Sequence, residues 1–325
     1  MFTTVRIYHP DVRMFLRAFL FLSLLQRSTL YCMFTDCERT LNLLLLAEKG
    51  TGKSTWINAF ANYVSFDTLK DAEDAGGRFP IRATFNVYDP EIDEERIIAT
   101  DRIVHPGDVG GQSVTQEPGI YSFRHAAVTV NVIDTPGVSY PEYASTHDMD
   151  KHLDNMLHFI GRFDELHAIC ILMKPNRSRI TKAFAQCITG ILRNLHESAS
   201  TNIIFIITNA KSTNFRPWNT FGTLKNFLQE KSLDMIKLTR DTVYCIEDDT
   251  VQYIVEHING WLHDEDAEMI AEKCWEESVK TTARMLTYIQ GLPPHDVGGT
   301  QCIYNTRRLI GILSKVLLDL SLIHI

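Results

Sequence analysis

The sequence predicts an α/β protein built on a doubly wound, mostly parallel sheet, with a C-terminal helical extension. Three observations carry this. A continuous apolar run, Asn42–Ala47, ends in a glycine-containing loop, as a buried parallel strand does. Short apolar strands then alternate regularly with amphipathic stretches. After about residue 250 the strand signals stop and helical periodicity takes over.

The chain has 325 residues, of which 45% are hydrophobic, enough to bury a full core. Its net charge of −8 and the lack of a basic run exclude a generic nucleic-acid surface. Seven cysteines, odd in number and scattered without CxxC or His-paired spacing, read as reduced thiols of a cytoplasmic protein. Residues 1–40 form an apolar N-terminal segment outside the expected fold. Its stretch Met14–Leu25 raises a signal peptide or anchor, but it falls short of the ~20 residues that span a bilayer, and Arg17 interrupts it. Membrane association is not supported by that stretch.

In chain order, the strand at Asn42–Ala47 is followed by a helix whose Ile57, Phe60, Ala61 and Val64 share one face. Turn signals at Asp71–Gly77, Pro80, Asp89-Pro90 and Pro106–Gly111 bracket two β-rich pieces, Ala83–Tyr88 and Arg96–Thr100. Ile120–Arg124 and Val128–Ile133 read as paired strands. A helix at Asp148–Phe159, a strand at His167–Met173, a helix at Ile180–Leu195 and a strand at Asn202–Thr208 follow. A helix at Thr220–Leu228 and a short strand at Thr242–Ile246 close the alternation. Trp275, Val279, Leu286 and Ile289 then mark one helical face, and Leu309, Leu313, Val316 and Leu317 another. Pro293-Pro294 and Gly298-Gly299 are the expected breaker between them. Residues 41–250 are thus the expected α/β domain and 251–319 the helical extension; 320–325 resemble translated sequencing-adapter sequence. His295 and His324 lack paired metal-ligand residues and read as ordinary histidines.

The chemistry concentrates in Ala47-Glu48-Lys49-Gly50-Thr51-Gly52-Lys53-Ser54, which has phosphate-loop spacing with alanine in the opening position. Chance yields such a pattern in only ~2% of chains this long, and here it sits between a strand and a helix. Gly50 and Gly52 let successive backbone N–H groups of Glu48 to Thr55 face a phosphate, at the positive end of the following helix. Lys53 is the expected catalytic cation for the β- and γ-phosphates, and the Ser54 hydroxyl an expected Mg²⁺ ligand. Asp134-Thr135-Pro136-Gly137 closes a strand, so Asp134 can reach the metal shell and Gly137 the γ-phosphate. Between them, Gly110-Gly111-Gln112-Ser113-Val114-Thr115 has the glycines and hydroxyls of a first switch. Thr115 is the candidate for γ-phosphate sensing and metal contact, with Ser113 second and an ordinary turn hydroxyl equally open.

Together, Gly50–Ser54, Ser113–Thr115 and Asp134–Gly137 resemble the translation-factor-like class of P-loop GTPases, closest in pattern to septins and the immune-associated, avirulence-induced group. The resemblance implies GTP or GDP with Mg²⁺, slow hydrolysis to GDP and phosphate, a switch or assembly role, and a homodimer or homo-oligomer through the GTPase domain. Two departures stand out. The family's base-reading Asn/Thr-Lys-x-Asp is replaced by Thr208-Asn209-Ala210-Lys211-Ser212, in which Asn209 and Lys211 remain candidates to flank a purine. Guanine preference therefore comes from the resemblance alone, and a P-loop ATPase stays open. Val138 occupies the place of a water-orienting glutamine, which keeps open a non-hydrolysing, nucleotide-bound scaffold. Arg177 and Arg179 read first as solvated charges of a helix-entry loop.

Overall fold

The computed structural model describes residues 39–89, 93–105, 118–137, 154–175, 180–261 and 263–323. The sheet is the skeleton. It runs β4-β5-β1-β7-β8-β9, with β1 at Arg39–Ala47, β4 at Gly119–His125, β5 at Val128–Asp134, β7 at Ala168–Met173, β8 at Ile203–Ile207 and β9 at Val243–Cys245. Every neighbouring pair is parallel except the β4–β5 hairpin at one edge. The expected doubly wound, mostly parallel sheet is what the chain forms.

Side-chain alternation explains why β1 reads as a solid apolar run. Leu41, Leu43, Leu45 and Ala47 enter one buried cluster, and Leu44 and Leu46 the other, on the opposite face. Both faces need cover, so both halves of the alternation must be apolar. The first face is covered by α1 (Lys53–Tyr63), α6 (Thr250–Ile258) and α7 (Glu265–Gly291). The second is covered by the helix over residues 154–160 (α3), α4 (Lys182–Asn194) and α5 (Trp218–Glu230). Short α2 (Leu69–Asp74) starts at a reciprocal capping box between Thr68 and Asp71.

The helices after residue 250 belong to this packing. Trp275, Met285, Leu286 and Ile289 of α7 are buried in the same cluster as β1 and α1. The Trp275 ring meets Tyr63 edge-on at 5.0 Å, and its N–H donates to the Asp67 carbonyl at 3.2 Å. Asp264 caps α7 by accepting from the Ala267 N–H, with three acidic residues in the first turn.

The β-rich pieces after α2 form an antiparallel pair, β2 (Thr84–Asp89) and β3 (Glu94–Ala99), separate from the main sheet. The expected breaker at Gly298-Gly299 behaves otherwise. The two glycines lie inside the first turn of α8 (Val297–Ile323), and the break falls earlier, where His295–Asp296 (β10) pairs with Glu165–Leu166 (β6). Contact is the reason: a Cβ on Gly298 would stand 3.1 Å from an Asp296 carboxylate oxygen, so close packing favours glycine. His295 is a buried core histidine, held between Ser198 and Thr300. No helix of the described residues is long and apolar enough to cross a membrane.

Candidate functional site: a phosphate loop with a carboxylate-braced neighbour

Because the strands run parallel, the loops leaving β1, β5, β7, β8 and β9 all emerge at one edge of the sheet. Next to β1 the chain turns from one side of the sheet to the other, the point at which such sheets form a ligand crevice. The expected site residues within the described range converge there.

The loop from Glu48 to Gly52 joins β1 to α1. Gly50 and Gly52 have φ of 76° and 94°, left-handed backbone that a side chain resists. Glycine is required twice over at Gly52, since a Cβ would stand 3.0 Å from an Asp248 carboxylate oxygen. Gly52 is the N-cap of α1, and no side chain caps that helix or places an acid in its first turn. The positive helix end therefore faces the loop with its N–H groups turned to whatever the loop holds. Thr51 and Ser54 are buried in the loop and first turn, Thr55 is half-buried beside them, and Lys49 is exposed.

Lys53 donates to Asp134 across the crevice, both side chains being buried. Burial pushes the Lys53 ammonium below its usual value, and the Asp134 carboxylate partly restores it. Asp134 faces the cation because β1 and β5 pair in a register that sets Leu45 beside it. The Thr135 hydroxyl donates to the Leu45 carbonyl at 2.6 Å and fixes the exit of β5. Gly137 lies against the loop itself: a Cβ there would be 3.1 Å from the Lys49 Cα. Two motifs 81 residues apart in sequence thus form one wall.

The donor set fits a magnesium-bound phosphate. An anion is matched by the glycine loop, the uncapped helix end and Lys53, and a cation by Asp134 with the Ser54 hydroxyl. Thr115, Ser113, Val138, Arg177 and Arg179 lie outside the described residues.

The loop after β8 forms the other end of the site. The Thr208 hydroxyl donates to the Thr51 carbonyl at 3.2 Å, tying that loop to the phosphate loop. Asn209 follows in left-handed backbone at φ 48°, a conformation asparagine tolerates, and starts a short 3-10 turn, Ala210–Thr213. Asn209 is half-buried and Lys211 exposed.

The sequence reading missed the residues that hold this loop, Glu247, Asp248 and Asp249. The buried Glu247 carboxylate accepts from the Lys211 N–H with one oxygen, and from the Asp248 and Asp249 N–H groups at 3.1 and 3.0 Å with the other. Its own backbone is held by the Tyr63 hydroxyl and by Ser278. Asp248 accepts from the Asn209 N–H at 2.9 Å, and Asp249 from the Asn209 side-chain amide at 3.0 Å. Burial drives the Asp248 carboxyl well above the carboxylate range, and Glu247 and Asp249 add to it; Glu247 is raised by the same cause. The three lie directly after a short strand, and that position at the carboxyl edge of a parallel sheet was the available signal. They are also the single tight acidic cluster among the described residues. The bonds of buried Glu247 and Asp248 run to backbone donors, which assigns those two a bracing role.

No protein-family model matches this chain, and no curated protein matches it. Among solved structures it is similar to Toc33 from Arabidopsis thaliana in complex with GDP and Mg²⁺, at 14% identity and a TM-score of 0.44 over 80% of this chain and 88% of that one. Toc33 in complex with Mg²⁺ and GMPPNP gives 15%, 0.43, 79% and 88%. A probable GTP-binding protein, engB, gives 11%, 0.31, 67% and 96%.

Proposed function

We propose that this chain is a P-loop GTPase that binds GTP and GDP with Mg²⁺ and hydrolyses GTP slowly, as a cytoplasmic nucleotide-dependent switch or assembly protein. The observation that carries the reading is the buried Lys53–Asp134 pair set against a glycine loop whose left-handed backbone opens onto an uncapped helix end. Lys53 serves the phosphate oxygens, Ser54 and Asp134 serve the metal, and Thr115 is the proposed γ-phosphate sensor that orders the first switch. When bound, Mg²⁺ supplies charge neutralisation on the phosphates. Glu48, Lys49, Gly50, Thr51, Gly52 and Thr55 line the phosphates through their backbone, and Gly137 leaves room for the γ-phosphate.

At the base end, guanine readout falls to the Asn209 amide, the Lys211 stem and the exposed Asp249 carboxylate, which supplies from the β9 loop the acceptor that Ser212 lacks. Slow turnover follows from Val138, which offers no hydrogen bond to a water. Pairing of two GTPase domains is the route by which polar groups would reach that position.

Calorimetric titration with GTP, GDP and ATP, with and without Mg²⁺, tests the reading. Saturable magnesium-dependent GTP binding that is lost in Lys53→Ala is expected. Equal binding by both proteins, or preference for ATP, overturns it. A non-hydrolysing scaffold is favoured instead if phosphate release stays flat as protein concentration rises.

A further inference from the structure

The C-terminal helix α8 has two halves of different character. Its first turns are fastened to the body: the Val297 N–H donates to the Asp164 carbonyl, Gln301 to the Leu157 carbonyl at 2.8 Å, and Arg307 to the Arg193 carbonyl and the Asn194 side chain. Beyond Tyr304, which is buried, residues 305–318 are exposed on every face. That exposed rod is strongly apolar. Leu309, Ile310, Ile312, Leu313, Val316 and Leu317 are 49–66% exposed.

Their spacing is ordered. Leu309, Leu313 and Val316 follow one another at four and three residues, the step of a helix–helix seam, and Ile310, Ile312 and Leu317 flank it. At 3.6 residues per turn all six fall within an arc of about 160°. Arg307, Arg308, Gly311, Ser314 and Lys315 occupy the other side, with Leu318, 64% exposed, as its one large apolar residue.

We propose that this face is a self-association surface, which pairs antiparallel with the same helix of a second copy. Area supports it. Six half-exposed aliphatic side chains offer on the order of 600 Å² per copy, near the roughly 800 Å² per partner of a standard interface and at the top of the range that monomers leave exposed. Charge supports the antiparallel sense. Arg307 and Arg308 stand at the base of the exposed stretch, and the sequence has Asp319 eleven residues, about three turns, beyond Arg308. Antiparallel pairing sets the basic end of one helix beside the acidic end of the other; parallel pairing would stack like charges. The contact is independent of the nucleotide-binding reading and needs no nucleotide.

Sedimentation equilibrium of the full chain without nucleotide, from micromolar to submillimolar protein, tests it. A concentration-dependent dimer is expected. Leu313→Glu with Val316→Glu leaves a monomer whose thermal unfolding matches the parent at dilutions where the parent is monomeric, since both residues are about half exposed. Arg308→Asp or Asp319→Arg alone weakens dimerisation roughly fivefold, and the two together recover it. A parent protein monomeric throughout overturns the proposal. So does a dimer that survives the double glutamate variant, which places the contact elsewhere, or a monomer that floats with phosphatidylserine vesicles, which assigns the face to lipid.

Discussion

The phosphate loop and the loop after β8, the proposed base end of the site, lie on the same sheet edge, yet they are built by opposite means. The phosphate end uses local backbone: two left-handed glycines, a helix terminus and a single cation–carboxylate pair. The base end uses long-range carboxylates. Glu247 and Asp248 reach back 36 and 39 residues to hold the backbone of Lys211 and Asn209. Phosphate is recognised by N–H groups that every sequence possesses, so only the curvature must be encoded. A base is recognised by particular side chains, and the loop presenting them has to be braced from outside.

The largest effect should come from breaking the phosphate end. Lys53→Ala is expected to weaken GTP, GDP and ATP alike by about 100-fold, because the ammonium serves the shared phosphates; calorimetry reads this directly. If one base were spared, the two ends would not be separable.

Removing the brace should cost stability first. Glu247→Ala withdraws an acceptor from three backbone N–H groups and is expected to lower unfolding free energy by roughly 2–4 kcal/mol in urea denaturation. Asp249→Asn, at the exposed rim of the base end, should leave the fold intact and shift the GTP-to-ATP affinity ratio by about tenfold or less. An unchanged ratio would remove Asp249 from base readout. The link between the ends should be worth less again: Thr208→Val loses its bond to the Thr51 carbonyl and should cost about 1 kcal/mol.

A separate effect concerns pH. Asp248 is raised by burial, so the folded protein holds that proton more tightly than the unfolded chain. Its contribution is complete below the unfolded carboxylate value, about 3.9, and is lost as pH rises through the raised folded value. The midpoint temperature should therefore carry a downward component over that window, and Asp248→Asn should remove it, as differential scanning calorimetry across the window would show.

The same contrast explains what was legible. β1, the glycine loop, Lys53 and Asp134 each carry a local signature, and the Asn42–Ala47 run implied burial on both faces, which Leu43 and Leu44 confirm from opposite clusters. Glu247, Asp248 and Asp249 carry none: three acids after a short strand look like a solvated turn until burial and partners are known. The apolar stripe at Leu309–Leu317 misleads the other way, since periodicity marks a face that avoids water without saying whether the chain itself covers it.

By itself the sequence determined the parallel sheet, the succession of its strands and the glycine loop, because strand burial and glycine geometry are set by neighbours a few residues apart; it read Asp71–Gly77 as a turn where helix α2 reaches Asp74. Only the tertiary structure decided that Lys53 meets Asp134, that the β9 loop braces Asn209, and that α7 joins the core while residues 305–318 of α8 stand clear. Those outcomes depend on strand register and on loops converging from distant parts of the chain, and no local spacing records them.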